Sequence, residues 1–207
     1  MVVEMELFPA LELGWLNGWI LLVVLYGIFG MLLLFFPKAV VARLYAYDGL
    51  RWSKKQRAYH VIGKLLVLVN LVLTILTPLR VGSIVFIIGV VLFAIGLTGF
   101  TIALLNFKNT PLNQPITKGL YSISRNPQAL MLLVAGVGIS FAIGSWIALL
   151  LLVTASLFGR SRILAEERAL LEQYGNSYRD YVERVPRYLL IKTRRKENKK
   201  EQNELGI

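Results

Sequence analysis

Residues 129–159 run for 31 positions without a charged side chain, and no other feature of the chain restricts its fold so tightly. As one helix this stretch would be ~46 Å long at about 1.5 Å per residue, well beyond the ~30 Å hydrocarbon core of a bilayer. It therefore has to break. Gly144 and Ser145, followed by Trp146, mark its middle, so two short crossings, 129–143 and 145–165, joined as a tight helical hairpin, are expected in preference to one strongly tilted helix.

Three further runs, 15–36, 61–79 and 82–105, are each long enough to span, and the first opens with Trp15 and Trp19 at interfacial depth. Hydrophobic residues make up 56% of the chain and charged residues 17%, against roughly 25% charged in a soluble domain. The fold class expected is therefore all-α: a polytopic membrane helix bundle of five transmembrane helices in one domain, residues 1–189. The absence of cysteine excludes disulfides, a cysteine nucleophile and thiolate metal sites, and a single histidine, His60, excludes a histidine-rich metal centre. The first 14 residues carry Glu4, Glu6 and Glu12 and no Lys or Arg. They lack the basic n-region of a cleavable signal, so the first apolar run is expected to be retained.

Charge placement orients the bundle. Residues 37–60 hold six Lys and Arg, among them Arg43, residues 106–128 hold three, and residues 159–207 hold twelve. With five crossings these segments share one face, which the excess of basic residues makes cytoplasmic, so the N-terminus is outside and the C-terminus inside. The net charge of +11 is explained by topology and by attraction to anionic lipid headgroups, with no need of nucleic acid. Residues 190–207, KTRRKENKKEQNELGI with the two residues before it, read as a basic disordered tail.

Helix lengths also place a site. Pro127 suits the first turn of the helix entering the membrane, with Arg125 and Asn126 just before it. The return helix starts near Trp146, and twenty residues later, after ~30 Å, it reaches Glu166 and Glu167. A hairpin folded at Gly144 therefore sets Tyr121, Ser124 and Arg125 against Glu166 and Glu167 at the membrane surface. The loop before them, NFKNTPLNQPITKGLY, has two prolines and Gly119 beside Lys118, an irregular backbone of the kind that lines cavities at a membrane boundary. Backbone donors, an arginine, two carboxylates and Tyr121 suit a zwitterionic, adenine-containing cofactor, the aromatic ring meeting a base or a sulfonium.

The run KGLYSISRNPQ, a hydrophobic hairpin and then AEERALLEQYGNSYRDYVERVPRYL together resemble the C-terminal half of the isoprenylcysteine carboxyl methyltransferase and phospholipid methyltransferase family of integral membrane enzymes. Gly119, Tyr121, Arg125, Asn126, Pro127, Glu166, Glu167, Leu170, Tyr174, Gly175, Tyr178 and Tyr181 fit its pattern in order and spacing, over about residues 115–189. Histidine is commoner than Asn126 in that family, and an aromatic residue is commoner than Ala129. The resemblance implies S-adenosylmethionine held by segments 115–128 and 162–189, through Lys118, Gly119, Tyr121, Arg125, Asn126, Gln128, Glu166 and Glu167. It also implies methyl transfer to a lipid-like or prenylated acceptor that enters from the bilayer, with Asp180 and Arg187 matching the positions that hold the acceptor's polar head. Two other readings stay open: a sterol-reductase-like enzyme using a nicotinamide dinucleotide, and a non-catalytic membrane scaffold.

The remaining polar residues have plainer readings. Asn70 and Thr74 inside the second span are expected to hydrogen-bond between helices, and Gly89, Gly96 and Gly99 to permit close helix packing. Lys64, one turn from the interface, is expected to snorkel, and His60 to be an interfacial side chain.

Overall fold

The computed structural model describes residues 5–46 and 52–189; the expected basic tail lies outside them. The described residues form seven α-helices and no strand: α1 (Trp19–Phe35), α2 (Lys38–Tyr45), α3 (Lys54–Leu76), α4 (Ile84–Lys108), α5 (Pro127–Ala142), α6 (Trp146–Tyr174) and α7 (Asn176–Arg184), with a 3-10 turn at Gly119–Ser122. Helices α3, α4 and α6 are long and apolar enough to cross a membrane, and α1 and α5 are apolar but shorter. Many large apolar side chains point outward, Leu34 and Leu157 among them, as suits a bundle whose solvent is lipid.

The hairpin breaks where its length requires. Gly144 turns the chain at a φ of 64°, and Ser145 accepts a hydrogen bond from Ala148 N to cap α6. Pro127 occupies the first turn of α5. Two helix starts differ most from those set by hydropathy alone, and α6 runs on to Tyr174, nine residues past the expected 165. Helix α3 starts at Lys54, seven residues ahead of the apolar run, because Ser53 and Gln56 form a reciprocal capping box. Apolarity marks only the part of a helix that meets lipid. Helix α1 starts at Trp19, four residues late. Asn17, buried, donates to the carbonyls of Glu12 and Ile75, and Gly18 N donates to Thr77 O, so this segment pairs with the α3–α4 connection instead of coiling.

The tightest packing is between α4 and α5, where glycine and alanine let the backbones approach. A methyl group added at Gly89 would strike Ala142, one at Gly96 would strike Ala135, and one at Gly138 would strike Phe93. Ala135 and Ala142 are fully buried there. Phe29 of α1 meets Phe100 of α4 at 5.7 Å between ring centroids. Helix α3 packs along α6, with Gly63 against Phe158. The interhelical bond expected of Asn70 is not made at its Oδ1, which is buried without a hydrogen-bond partner.

These helices sort the connections to two ends. At one, Glu6 exchanges backbone hydrogen bonds with Gly144 and Trp146, Arg80 N donates to Ala142 O, and Glu6 and Arg80 form an ion pair. At the other lie α2, residues 109–126, the last turns of α6, and α7. The residues expected to carry chemistry are all at this second end.

Candidate functional site

The site starts at a glycine. Gly119 has a φ of 63°, and a side chain there would collide with the amide of Asn106 on α4. Asn106 Oδ1 accepts from Leu120 N at 2.9 Å and ties this turn to the bundle. Tyr121 is thereby driven inward: it is buried, its hydroxyl accepts from Gln128 Nε2 at 2.9 Å, and its carbonyl accepts from the Tyr181 hydroxyl at 2.7 Å.

Next along the chain, the R-N-P segment meets both α6 and the segment after α7. Arg125 N donates to Pro186 O at 2.9 Å and Ser124 Oγ to Arg187 O at 3.1 Å. Glu167 stands at the centre. It accepts from Arg187 Nη2 at 2.7 Å and from Arg187 Nε at 3.0 and 3.1 Å, lies 3.4 Å from Arg125 Nη1, and accepts from Asn126 Nδ2 at 3.4 Å. The side chains of Arg125, Glu167 and Arg187 are only 4%, 11% and 16% exposed. Two guanidiniums thus share one carboxylate, and Arg125 Nε is buried with no hydrogen-bond partner. A buried donor left over beside an ion pair calls for a hydrogen-bond acceptor, a role an anionic group can fill.

Helix α7 and residues 185–188 roof the cluster. Tyr178 and Tyr181 are 4% and 3% exposed, with ring centroids 5.7 Å apart. Burial, with the charge of Glu166 nearby, pushes the Tyr121 phenol up; burial, with Glu167, does the same for Tyr178, and burial raises Tyr181. The hydrogen bonds to Glu167 raise Arg187 above its ordinary value. These phenols stay neutral and Arg187 stays charged across the physiological range.

The sequence-expected residues are thus unevenly distributed. Arg125, Asn126, Glu167 and Arg187 meet through direct contacts, and Tyr121 and Gln128 pair with each other beside them. Glu166, half-buried, is close enough to act electrostatically on Tyr121. Lys118 is exposed and enters only through its carbonyl, which accepts from Tyr121 N. Asp180 is exposed on α7, outside the Arg125–Glu167–Arg187 contacts. One residue gained a part that its sequence context did not suggest. Arg43 of α2 donates to the carbonyls of Thr110, Pro111 and Gln114, at 3.3, 3.1 and 2.6 Å, and lies over the Phe107 ring. It also donates to the Tyr174 hydroxyl, which itself donates to Leu112 O. This pair pins the loop that leads into the site. Its acceptors are backbone carbonyls, which leave no side-chain pattern to read.

A bundle whose outer surface is apolar, with three helices fit to cross a membrane and a buried ionic cluster at one end, defines an integral membrane protein with a site at the bundle's rim. The class can be made narrower. The chain belongs to the phospholipid methyltransferase family, whose model matches residues 59–177, over half of the 207 residues. Comparison with curated proteins and with solved structures gave no match. The matched region includes Tyr121, Arg125, Glu166 and Glu167, and it ends just before Tyr178, Tyr181 and Arg187 of the roof.

Proposed function

We propose that this membrane methyltransferase-family protein uses S-adenosylmethionine to methylate a lipid-like acceptor, an isoprenylcysteine-type carboxylate or a phospholipid amine. The observation that carries this reading is Arg125: a buried guanidinium with an unused Nε, beside Glu167, inside the region matched by the family. When bound, the cofactor supplies an activated methyl group together with its own leaving group. Positioning is then most of what the protein has to provide. Arg125 holds the cofactor's carboxylate, while Glu166, Gln128 and Tyr121, with the backbone around Lys118 and Gly119, contact its ammonium, ribose and base. Asn126 and Arg187 fix Glu167, and Arg187, together with Asp180, exposed on α7, orients the acceptor's polar head. A carboxylate acceptor needs no base, and an amine needs one only if it arrives protonated.

In the same reading α1, α3, α4, α5 and α6 all cross the bilayer, with the N-terminus outside and the site on the cytoplasmic side. The basic residues of α2, of residues 106–128 and of the α6–α7 end support that orientation. Family membership favours methyl transfer over a nicotinamide-dependent reduction. The test titrates S-adenosylmethionine and a nicotinamide dinucleotide against purified protein, then follows a labelled methyl group into lipid extracts. Binding of the first alone, weakened at least tenfold in Arg125→Leu, is expected. Failure to bind S-adenosylmethionine, or wild-type affinity in Arg125→Leu, would overturn the proposal.

A further inference from the structure

The two arms of the α5–α6 hairpin touch at mid-length, where a side chain on Gly136 would strike Leu152, and nearer the turn Ala148 is fully buried. From Gly136 toward the Arg125–Glu167 cluster the facing positions are open. Ala129 and Leu132 lie seven and four residues before Gly136, on the same face of α5, and both are exposed. Ser156 and Arg160 follow Leu152 at intervals of four along α6, and both are exposed as well. Between the arms there is thus a cleft, open to the membrane, that leads along the hairpin to Glu167.

Arg160 belongs to this cleft. Seven residues, a rise of about 10 Å and close to two whole turns, separate it from Glu167, so the two lie on nearly one line along α6. Arg162, about 200° around the helix from Arg160, lines a recess beside α3 instead. Burial raises the Tyr188 phenol, and the charges of Arg187 and then Arg160 oppose that rise, so the Arg160 guanidinium stands on the side of α6 that the roof covers. Its backbone is ~21 Å from the Trp146 start of α6, inside the ~30 Å hydrocarbon thickness. An exposed guanidinium at that level draws in an anionic group. From the cluster into the bilayer, this strip of α6 therefore presents a carboxylate, then a guanidinium, then Ser156 and apolar side chains.

We propose that Arg160 seats an anionic group lying between the reacting end and the tail of the acceptor, and so determines which acceptor the α5–α6 cleft takes. The inference rests on the methyl-transfer reading and narrows it. An amine-headed phospholipid carries its amine, its phosphate and its acyl chains in the order in which the cleft presents Glu167, Arg160 and apolar surface. A prenylated cysteine has one anion, the carboxylate that must itself meet the methyl group, and beyond it only a thioether and a hydrocarbon chain, which leave Arg160 without a partner. Arg160 is accordingly a specificity-determining residue for the phosphate-bearing lipid, while Arg187 and Asp180 orient the reacting end.

The chain has no cysteine, so one can be introduced as a reporter. Full-length Ser156→Cys protein in maltoside micelles, which contain no phosphate, is labelled with a membrane-soluble maleimide in the presence of phosphatidylethanolamine, phosphatidic acid, diacylglycerol or farnesylcysteine. Leu157→Cys, one residue on and 69% exposed, serves as the control outside the cleft. The two phosphate-bearing lipids should slow labelling at Ser156→Cys about fivefold relative to the other two and leave Leu157→Cys unchanged. Adding Arg160→Gln should abolish that protection and Arg160→Lys should keep most of it, which separates a lost seat from a lost fold. With S-adenosylmethionine present, Arg160→Gln should raise KM for phosphatidylethanolamine about fivefold and leave cofactor affinity within about twofold of wild type. Equal protection by farnesylcysteine or diacylglycerol, protection that survives Arg160→Gln, or its loss in Arg160→Lys would each overturn the proposal. The labelling needs no turnover: the expected pattern without S-adenosylmethionine binding would uphold the seat and sink only the methyl-transfer reading.

Discussion

Glu167→Gln removes the one carboxylate that buried Arg125 and partly buried Arg187 share, and the size of the loss follows from what each partner keeps. In the wild type, Arg125 lies 3.4 Å from Glu167 and Arg187 makes contacts of 2.7–3.1 Å with it, all three side chains being less than a fifth exposed. Taking away the carboxylate leaves two like charges in a desolvated site, a change that costs about 3–5 kcal/mol. Arg187→Leu breaks the shorter, stronger contacts, yet Glu167 keeps Arg125 and Asn126, so the cost should be about 1.5–3 kcal/mol. The partner with the closest contacts is thus expected to be the cheaper to remove. In the double variant Arg125 alone is unpaired, and the combined loss should fall short of the sum by at least ~1 kcal/mol. Unfolding in mixed micelles of rising denaturing-detergent content, followed by circular dichroism, gives all three values. Equal costs for the single variants, or additivity within about 0.5 kcal/mol, would mean that the three residues do not act as one charge cluster.

Three other outcomes are expected. Gly96→Ala and Gly138→Ala each press a methyl group into the opposing backbone and should destabilise by about 1–3 kcal/mol, whereas Gly27→Ala, with open space around it, should cost nothing; the same detergent titration compares them. Tyr121, Tyr178 and Tyr181 have folded-state values raised above their ordinary 10.0, so the stability they contribute is fully present below that pH and is lost as the pH climbs from there through the folded values. Ultraviolet titration should therefore find these three phenols ionising together with loss of helix, and ionisation with the helices intact would contradict their burial. Arg43→Ala frees the 110–114 loop, which should be cut faster in limited proteolysis and lower S-adenosylmethionine affinity roughly tenfold or more; Arg43→Lys should recover little, since one ammonium cannot replace a fork reaching three carbonyls.

The apolar lengths and the Gly144 break are local properties, and both were legible. Because a helix rises by a fixed amount per residue, counting residues from the turn was enough to bring Arg125 level with Glu166 and Glu167. Counting cannot say which of two adjacent glutamates faces the arginine, since neighbours on a helix project about 100° apart. The rotation of α6, fixed by its packing on α3 and α5, turned Glu167 to Arg125 and Arg187 and left Glu166 out of those contacts, near enough to raise the Tyr121 phenol. The start of α3 was readable in Ser53 and Gln56, but hydropathy, which responds to lipid rather than to capping, drew the boundary too late.

By itself, then, the sequence determined an apolar helical bundle, its hairpin, and the end of it where polar chemistry collects, because hydrophobic length and turn residues act within a few positions of themselves. Only the tertiary structure decided that Arg43 would hold the 110–114 loop by its carbonyls and that Glu6 would dock on the hairpin turn. Each of those contacts joins residues far apart in the chain, through backbone groups or side-chain directions that every sequence possesses and no motif records.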